Sequence, residues 1–386
     1  MSIKKIIAFT GIRSDYDLLS NLYKNLNNDK EFEIKLIVSG SHLSERHGHT
    51  VQEIEKDQIP ILARIESLID SNRLSGRIMS LSILMQNSIH NIVDYNPDLI
   101  IVAGDREDVI VGATIGTYLN IPVAHFFGGD HDVSGHVDNS IRHATSKLSS
   151  LHFVSNQVSA ERLLKMGEEE GRIFNIGSPS LDKFNMTPII GKKDLLQKFN
   201  LVGVDNYALL IFHPHFGEEE KSEIYFREIL EVLKEEDIFT FVSYPNTDSG
   251  SKLIIDIIES YKGDSSFFFY ENLPREDFIN LFRHTEFLIG NSSAGLYEAP
   301  LLKKPVINVG NRQLGRYSAN NVIFVKNEKK EIYSAIEEIR SKVFLEKLND
   351  TISIYGDGKS SNKAMNILKS LNYSDYVFKI NDPLEV

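Results

Sequence analysis

The chain has 386 residues, a length that suggests two or three domains at roughly 150 residues each and excludes a single small module. With 41% hydrophobic and 25% charged residues it can bury a sizeable core and is not disordered. Its net charge of −12 argues against non-specific attachment to nucleic acid or to an anionic membrane, so an anionic ligand must be held by local positive groups. The absence of cysteine excludes disulfides, thiolate nucleophiles, Cys-ligated zinc and iron–sulfur clusters. After two lysines the apolar run Ile6 to Phe9 is too short for a signal-peptide core, and no segment reaches the ~18 apolar residues of a membrane span. The expectation is a cytoplasmic protein with neither nucleic acid nor membrane among its partners.

In chain order, short apolar runs alternate with longer amphipathic stretches, the pattern of a parallel sheet covered by helices. The predicted strands of the first half are Ile3 to Thr10, Phe32 to Ser39, Asp98 to Ala103, Pro122 to His125 and Leu151 to Val154. The predicted helices run from Asp17 to Leu26, Ser75 to Val93, Val109 to Leu119 and Asn156 to Met166. Turn formers between Gly177 and Lys193 break the rhythm and mark a connection. It resumes with strands Tyr207 to Phe212, Ile238 to Val242, Phe267 to Tyr270, Glu286 to Gly290 and Val306 to Val309. A last helix is expected from Asn362 to Leu371, followed by a loosely held acidic tail after Asn372. The reading is two α/β domains, 1–183 and 184–360, with 361–386 as a C-terminal helix and tail.

Parallel strands present ligands at their carboxyl ends, which directs attention to the residues just after them. Ile289-Gly290-Asn291-Ser292-Ser293-Ala294 runs from a strand through a small hydroxyl-bearing turn into a helix, a place where free N–H groups suit a diphosphate; an ordinary Ser N-cap is the plain alternative. Glu298 follows and could accept ribose hydroxyls. Arg13, Arg312 and Arg316 also come after strands and offer bidentate phosphate contacts, although each is equally a solvated or locally paired arginine. Asp105, Asp130 and Asp138, near His131, His136, Arg142 and His143, form a carboxylate set suited to proton transfer, with an N-cap role as the alternative for Asp138. The histidines lack the tight spacing of a zinc motif, so no metal is expected. Gly356-Asp357-Gly358-Lys359-Ser360 lacks the earlier glycine of a P-loop, and Gly11 stands alone after the first strand, which makes a nicotinamide dehydrogenase a poor fit.

Thr10-Gly11-Ile12-Arg13-Ser14-Asp15-Tyr16, Gly40-Ser41-His42-Leu43, Gly104-Asp105-Arg106, Gly128-Gly129-Asp130, Ser140-Ile141-Arg142-His143-Ala144 and Ile289-Gly290-Asn291-Ser292-Ser293 resemble the UDP-N-acetylglucosamine 2-epimerase family. The closest similarity is to its hydrolysing branch, which releases N-acetylmannosamine for sialic acid synthesis. Tyr244 to Lys252 and Ile354 to Gly358 look like further counterparts, so the resemblance covers about residues 3 to 370.

The resemblance implies a GT-B fold, with two Rossmann-like domains whose parallel sheets face across a central cleft and a C-terminal helix that crosses back to the first domain. It implies anti elimination of UDP from UDP-GlcNAc to 2-acetamidoglucal, then hydration to N-acetylmannosamine, with no cofactor. On matching positions Asp105, Asp130 and Asp138 transfer protons, and His213 is catalytic or holds the diphosphate with Arg13, Ser292 and Ser293. Glu298 holds the ribose, Arg316 completes the anion site and Asn246 contacts substrate. A homodimer or homotetramer is implied as well. Two departures stand out: Asp130 stands where hydrolysing members usually carry glutamate, which shortens the reach of that carboxylate and bears on its role, and His131 and His136 replace other residues in a loop that lies near the sugar in the family, which bears on the hexose. The alternatives are a hydrolysing epimerase of UDP-2,4-diacetamido-trideoxyhexose or GDP-N-acetylglucosamine, a non-hydrolysing epimerase, a GT-B glycosyltransferase and a non-catalytic sensor.

Overall fold

A computed structural model describes residues 3–71, 73–131, 137–215, 217, 219–245, 250–380 and 382. The chain divides into two compact units, one of Met1–Lys183 with Tyr355–Val386 and the other of Phe184–Ile354.

The first unit is built on a seven-stranded parallel sheet of β1 (Lys4–Thr10), β2 (Phe32–Ser39), β3 (Ile61–Ile65), β4 (Leu99–Ala103), β5 (Val123–Phe126), β6 (Leu151–Val154) and β7 (Ile173–Asn175). Their order is β3-β2-β1-β4-β5-β6-β7, so the winding direction reverses between β1 and β4. The central strands are apolar on both faces because helices cover both sides, and β4 is wholly buried. The second unit repeats the plan with β8 (Ala208–Ile211), β9 (Thr240–Ser243), β10 (Phe267–Tyr270), β11 (Leu288–Gly290), β12 (Val306–Val309) and β13 (Val322–Val325), ordered β10-β9-β8-β11-β12-β13. All of its paired strands run parallel.

Three strands, β3, β7 and β13, have no counterpart in the sequence reading. Each lies at a sheet edge with one neighbour; they are short and mostly half-buried, and even the wholly apolar Val322–Val325 is only four residues long. The first helix begins at Arg13 rather than Asp17. Its start is fixed by the Asp15 carboxylate, which accepts from the Gly11 amide at 3.0 Å, the Ile12 amide at 3.3 Å and the Thr10 hydroxyl at 2.5 Å.

The tail expected to be loosely held is anchored in its described part, as far as Lys379. The helix Ser360–Ser370 packs on the helix Arg13–Asn27, and its first two amides are capped at 2.8 and 2.6 Å by the carboxylate of Asp182 from another part of the chain. Beyond it, Arg172 donates to the Tyr376 and Phe378 carbonyls at 3.2 and 2.6 Å. Lys379 donates to the carbonyls of Ser146 and Lys147, at 3.2 and 3.0 Å, at the end of the helix Val137–Leu148, and to Glu168 at 2.5 Å. Burial alone would raise the Glu168 carboxyl, but hydrogen bonds from His152, Lys147 and Lys379 outweigh it and hold the group at about 2. A depressed carboxyl contributes stability above its unfolded value that is lost as pH falls through the folded one. Wild type should therefore be more stable than Glu168→Gln at pH 6, with the difference shrinking between pH 5 and pH 2 in urea melts.

Candidate functional site

In the first unit the predicted proton-transfer residues sit at the carboxyl ends of β4 and β5 and on the helix that follows β5. Asp105 leaves β4 and accepts a charge-assisted hydrogen bond from Arg142 of the helix Val137–Leu148, with both side chains largely buried. Asp130 follows β5. It accepts from the hydroxyls of Ser159 and, at 3.1 Å, Ser155, and burial raises its carboxyl against the opposing pull of those hydroxyls and of Arg142. Arg142 thus acts on two of the three carboxylates. Asp138 lies in the first turn of the same helix, 3.6 Å from a guanidinium nitrogen of Arg77, which also pairs with Glu107. The cap position before Val137 lies outside the described residues.

Beneath these groups His125 is fully buried on β5. Its Nε2 meets the Gly104 carbonyl at 2.9 Å and its Nδ1 the Ser146 hydroxyl at 3.1 Å, and burial lowers its pKa to about 3. This neutral ring ties the turn before Asp105 to the helix that carries Arg142. His131 stacks on His143 with ring centres 5.6 Å apart and Nδ1 to Nε2 at 3.3 Å, and burial with the neighbouring His131 keeps His143 below the usual histidine value. His136 lies outside the described residues, as does Asn246 in the second unit.

Arg13 occupies the first turn of its helix and forms an exposed ion pair with Glu53 at 2.9 Å, rather than with Asp15 or Asp17. It is not adjacent in contact terms to the carboxylate set: no hydrogen bond or ion pair between them occurs among the described residues.

In the second unit the turn after β11 is organised by Asn291, to which the sequence assigned no role of its own. Its buried side chain accepts from the His213 amide and donates to the His213 carbonyl, both at 2.8 Å, so the end of β8 is clamped to the end of β11. The Asn291 carbonyl in turn accepts from Arg312 at 3.1 Å and from the buried Gln313 at 3.0 Å. One residue thereby links His213, the Ser292-Ser293 turn and the 310–316 loop that carries Arg316. Ser292 and Ser293 are half-buried, and Glu298 ends the short helix Ala294–Tyr297. That helix has only four residues and so little dipole of its own; what the turn offers is the amides and hydroxyls of Ser292 and Ser293.

A model of the UDP-N-acetylglucosamine 2-epimerase family matches residues 24–369. The chain belongs to this family. It is 32% identical over 369 residues to the UDP-N,N'-diacetylbacillosamine 2-epimerase (hydrolyzing) of Legionella pneumophila, covering 96% of each chain. It is also 32% identical to the UDP-N-acetylglucosamine 2-epimerase of Neisseria meningitidis over 340 residues, 87% of each. Among solved structures, a Neisseria meningitidis UDP-GlcNAc 2-epimerase bound to UDP-GlcNAc aligns with a TM-score of 0.78 at 19% identity, over 95% of this chain and all of that one, a likeness that bears on the fold. The fold is the GT-B type, with a seven-stranded and a six-stranded parallel unit.

For a 2-epimerase the two constellations have a clear division of chemistry. The first unit offers three carboxylates, Asp105 paired with Arg142 and Asp138 beside Arg77, of a type able to take or return a proton at carbon. The second offers hydroxyls, amides and a clamped histidine suited to a diphosphate. Arg142 and Asn291 stood in the sequence motifs without a role of their own, and Gln313 and His125 were given none either. Asn directly after a strand-ending glycine was a usable signal, because a side chain there can bridge two strand ends.

Proposed function

We propose that the chain is a hydrolysing nucleotide-sugar 2-epimerase that takes a UDP-linked 2-acetamidohexose, with UDP-GlcNAc the simplest substrate, to UDP and the free 2-epimeric sugar for sialic acid or related nonulosonic acid synthesis. The observation that carries this reading is the Arg142–Asp105 pair and the buried Asp130 at adjacent strand ends, together with Asp138 on the helix that carries Arg142. A base removes the C2 proton while the C1–O bond breaks, giving UDP and the 1,2-unsaturated sugar. Water then places its hydroxyl on C1 and a proton returns to C2 from the opposite face. Two faces require at least two proton-bearing groups, and three carboxylates are available. His213, Arg13, Ser292, Ser293 and Arg316 are proposed to hold the diphosphate, Glu298 the ribose and Asn246 the substrate.

A second reading keeps the reaction and changes the hexose to 2,4-diacetamido-trideoxyhexose. It is supported by the names of two relatives, the Legionella pneumophila protein and a GDP/UDP-N,N'-diacetylbacillosamine 2-epimerase (hydrolyzing) of Campylobacter jejuni at 33% identity over 350 residues. Product analysis with a panel of UDP- and GDP-linked acetamido sugars tests both. Release of UDP with a free 2-epimeric sugar is expected; accumulation of the UDP-linked epimer would move the chain to the non-hydrolysing branch, and an intact donor without an acceptor would favour a glycosyltransferase.

We also propose that the enzyme works in the cytoplasm as a homo-oligomer. Among the described residues no helix is long and apolar enough to cross a membrane. The helix Leu74–Tyr95 exposes Ile78, Ile89 and Val93 along one face, an apolar stripe that a second copy would cover. Ile89→Glu should shift the protein toward monomer in light scattering while leaving its circular dichroism unchanged; an unaltered mass would place the interface elsewhere.

A further inference from the structure

The helix Val137–Leu148 carries both Arg142 and Asp138, yet little apolar surface fixes it in place. Of its twelve residues only Thr145 and Ser146 are buried, and its packing against an apolar core cluster is made by Leu148, at the same end. A surface helix is normally located by an apolar stripe. This one depends on the polar partners of its last turn.

A helix leaves its last four carbonyls without partners inside the helix. Here the Thr145 carbonyl accepts from the Ser149 amide at 2.9 Å and the Ser149 hydroxyl at 2.8 Å, and the Leu148 carbonyl accepts from the Thr117 hydroxyl at 3.0 Å. The two between them, of Ser146 and Lys147, are met by the ammonium of Lys379, which comes 233 residues after Ser146 but belongs to the same compact unit. Its positive charge also complements the negative end of the helix dipole. The fully buried Glu168 carboxylate keeps the ammonium at that spot.

Ser146 passes this hold on to the site. Its carbonyl accepts from Lys379, while its hydroxyl donates to the Arg142 carbonyl at 3.0 Å and lies 3.1 Å from Nδ1 of His125. The other ring nitrogen of His125 is 2.9 Å from the carbonyl of Gly104, the residue before Asp105. One residue therefore joins the tail to the backbone of Arg142 and, through a single ring, to the turn that carries Asp105. Both partners of the Arg142–Asp105 pair are located from the helix end that Lys379 holds.

We propose that Lys379 is a positioning residue for the epimerase chemistry: by fastening the end of the helix Val137–Leu148 it sets Arg142 against Asp105 and holds Asp138 at the site, which makes the segment after the last helix a working part of the first unit. The inference rests on the 2-epimerase reading. Lys379 acts through the helix rather than on substrate, and proton transfer is steeply sensitive to small displacements of the groups that perform it. The groups proposed to hold the diphosphate belong, Arg13 apart, to the second unit, so the effect falls on kcat rather than on KM.

The test compares wild type with Lys379→Met and Lys379→Arg in two measurements. In hydrogen–deuterium exchange without substrate, Lys379→Met should speed exchange across residues 142–148 by about tenfold or more and leave the central strands unchanged, whereas Lys379→Arg should match wild type. In steady-state UDP release, counted per folded, UDP-binding molecule, Lys379→Met should lower kcat by about tenfold or more with KM within about threefold of wild type. Lys379→Arg, which keeps the charge and the donors, should restore kcat to within about threefold. A merely stabilising residue would lower the number of folded molecules and leave the kcat of each as in wild type. Equal exchange in Lys379→Met and wild type, an unchanged kcat, or a failure of Lys379→Arg to restore it would overturn the proposal; Lys379→Gln carries the same expectations as Lys379→Met and decides if that variant does not fold. Absence of turnover in wild type would instead defeat the 2-epimerase reading, and the exchange measurement would still decide whether Lys379 holds the helix.

Discussion

Asp105→Asn and Asp138→Asn should each lower turnover by about a thousandfold or more, within the range for removing a general acid or base, while UDP binding changes by less than roughly threefold. The substitutions are nearly isosteric, so packing is preserved, and what is lost is the ability to carry a proton. At Asp105 the change also leaves Arg142, which donates to that carboxylate, facing a neutral amide. At Asp138 it removes the negative charge 3.6 Å from Arg77. The groups proposed to hold the diphosphate belong, Arg13 apart, to the second unit, so the nucleotide should still bind. The measurements are UDP release under saturating substrate and UDP affinity by calorimetry. Wild-type rates in either variant would sink the assignment, and loss of UDP binding would mean that the carboxylate holds the nucleotide site together instead.

Gly290→Ala is expected to cost on the order of 4 kcal/mol and to lower the melting temperature by roughly 10 °C. Two observations carry this. The residue has φ +126°, a conformation that side chains resist, and a Cβ there would lie 2.1 Å from the Ile211 carbonyl oxygen, a backbone atom that cannot step aside. The close approach is needed because the next amide, on Asn291, reaches back to that same carbonyl at 3.1 Å. Forcing the strands apart would break the Asn291 clamp on His213, so UDP affinity should fall with stability. A variant of wild-type stability would show that the turn can rearrange at little cost.

The central strands were legible because a buried parallel strand is an unbroken apolar run, as in Leu99–Ala103 or Val306–Val309. The edge strands Ile61–Ile65, Ile173–Asn175 and Val322–Val325 were not: they are short and mostly half-buried, and a brief apolar run such as Val322–Val325 does not by itself distinguish a strand from other local structure. The hold on the described part of the tail, as far as Lys379, escaped the sequence for a different reason. The tail's composition after Asn372 is polar, but Lys379 is drawn in by Glu168, a partner 211 residues away that no local pattern reveals.

The same division runs through the site. Asp105, Asp130, Ser292 and Ser293 could be picked out in sequence because each stands just past an apolar run, where a parallel strand must deliver it to the ligand-binding edge. The chain by itself therefore determined the two-unit α/β plan, the residue types available for chemistry and the exclusion of thiol chemistry. The tertiary structure decided which of these groups meet. It set Arg142 against Asp105, turned Asn291 into a bridge between β8 and β11, and buried Asp108 beside a carboxylate that already fills the first helix start. Those outcomes depend on contacts between residues tens to hundreds of positions apart, and a one-dimensional pattern records spacing along the chain but not the distances that fix charge, protonation and reach.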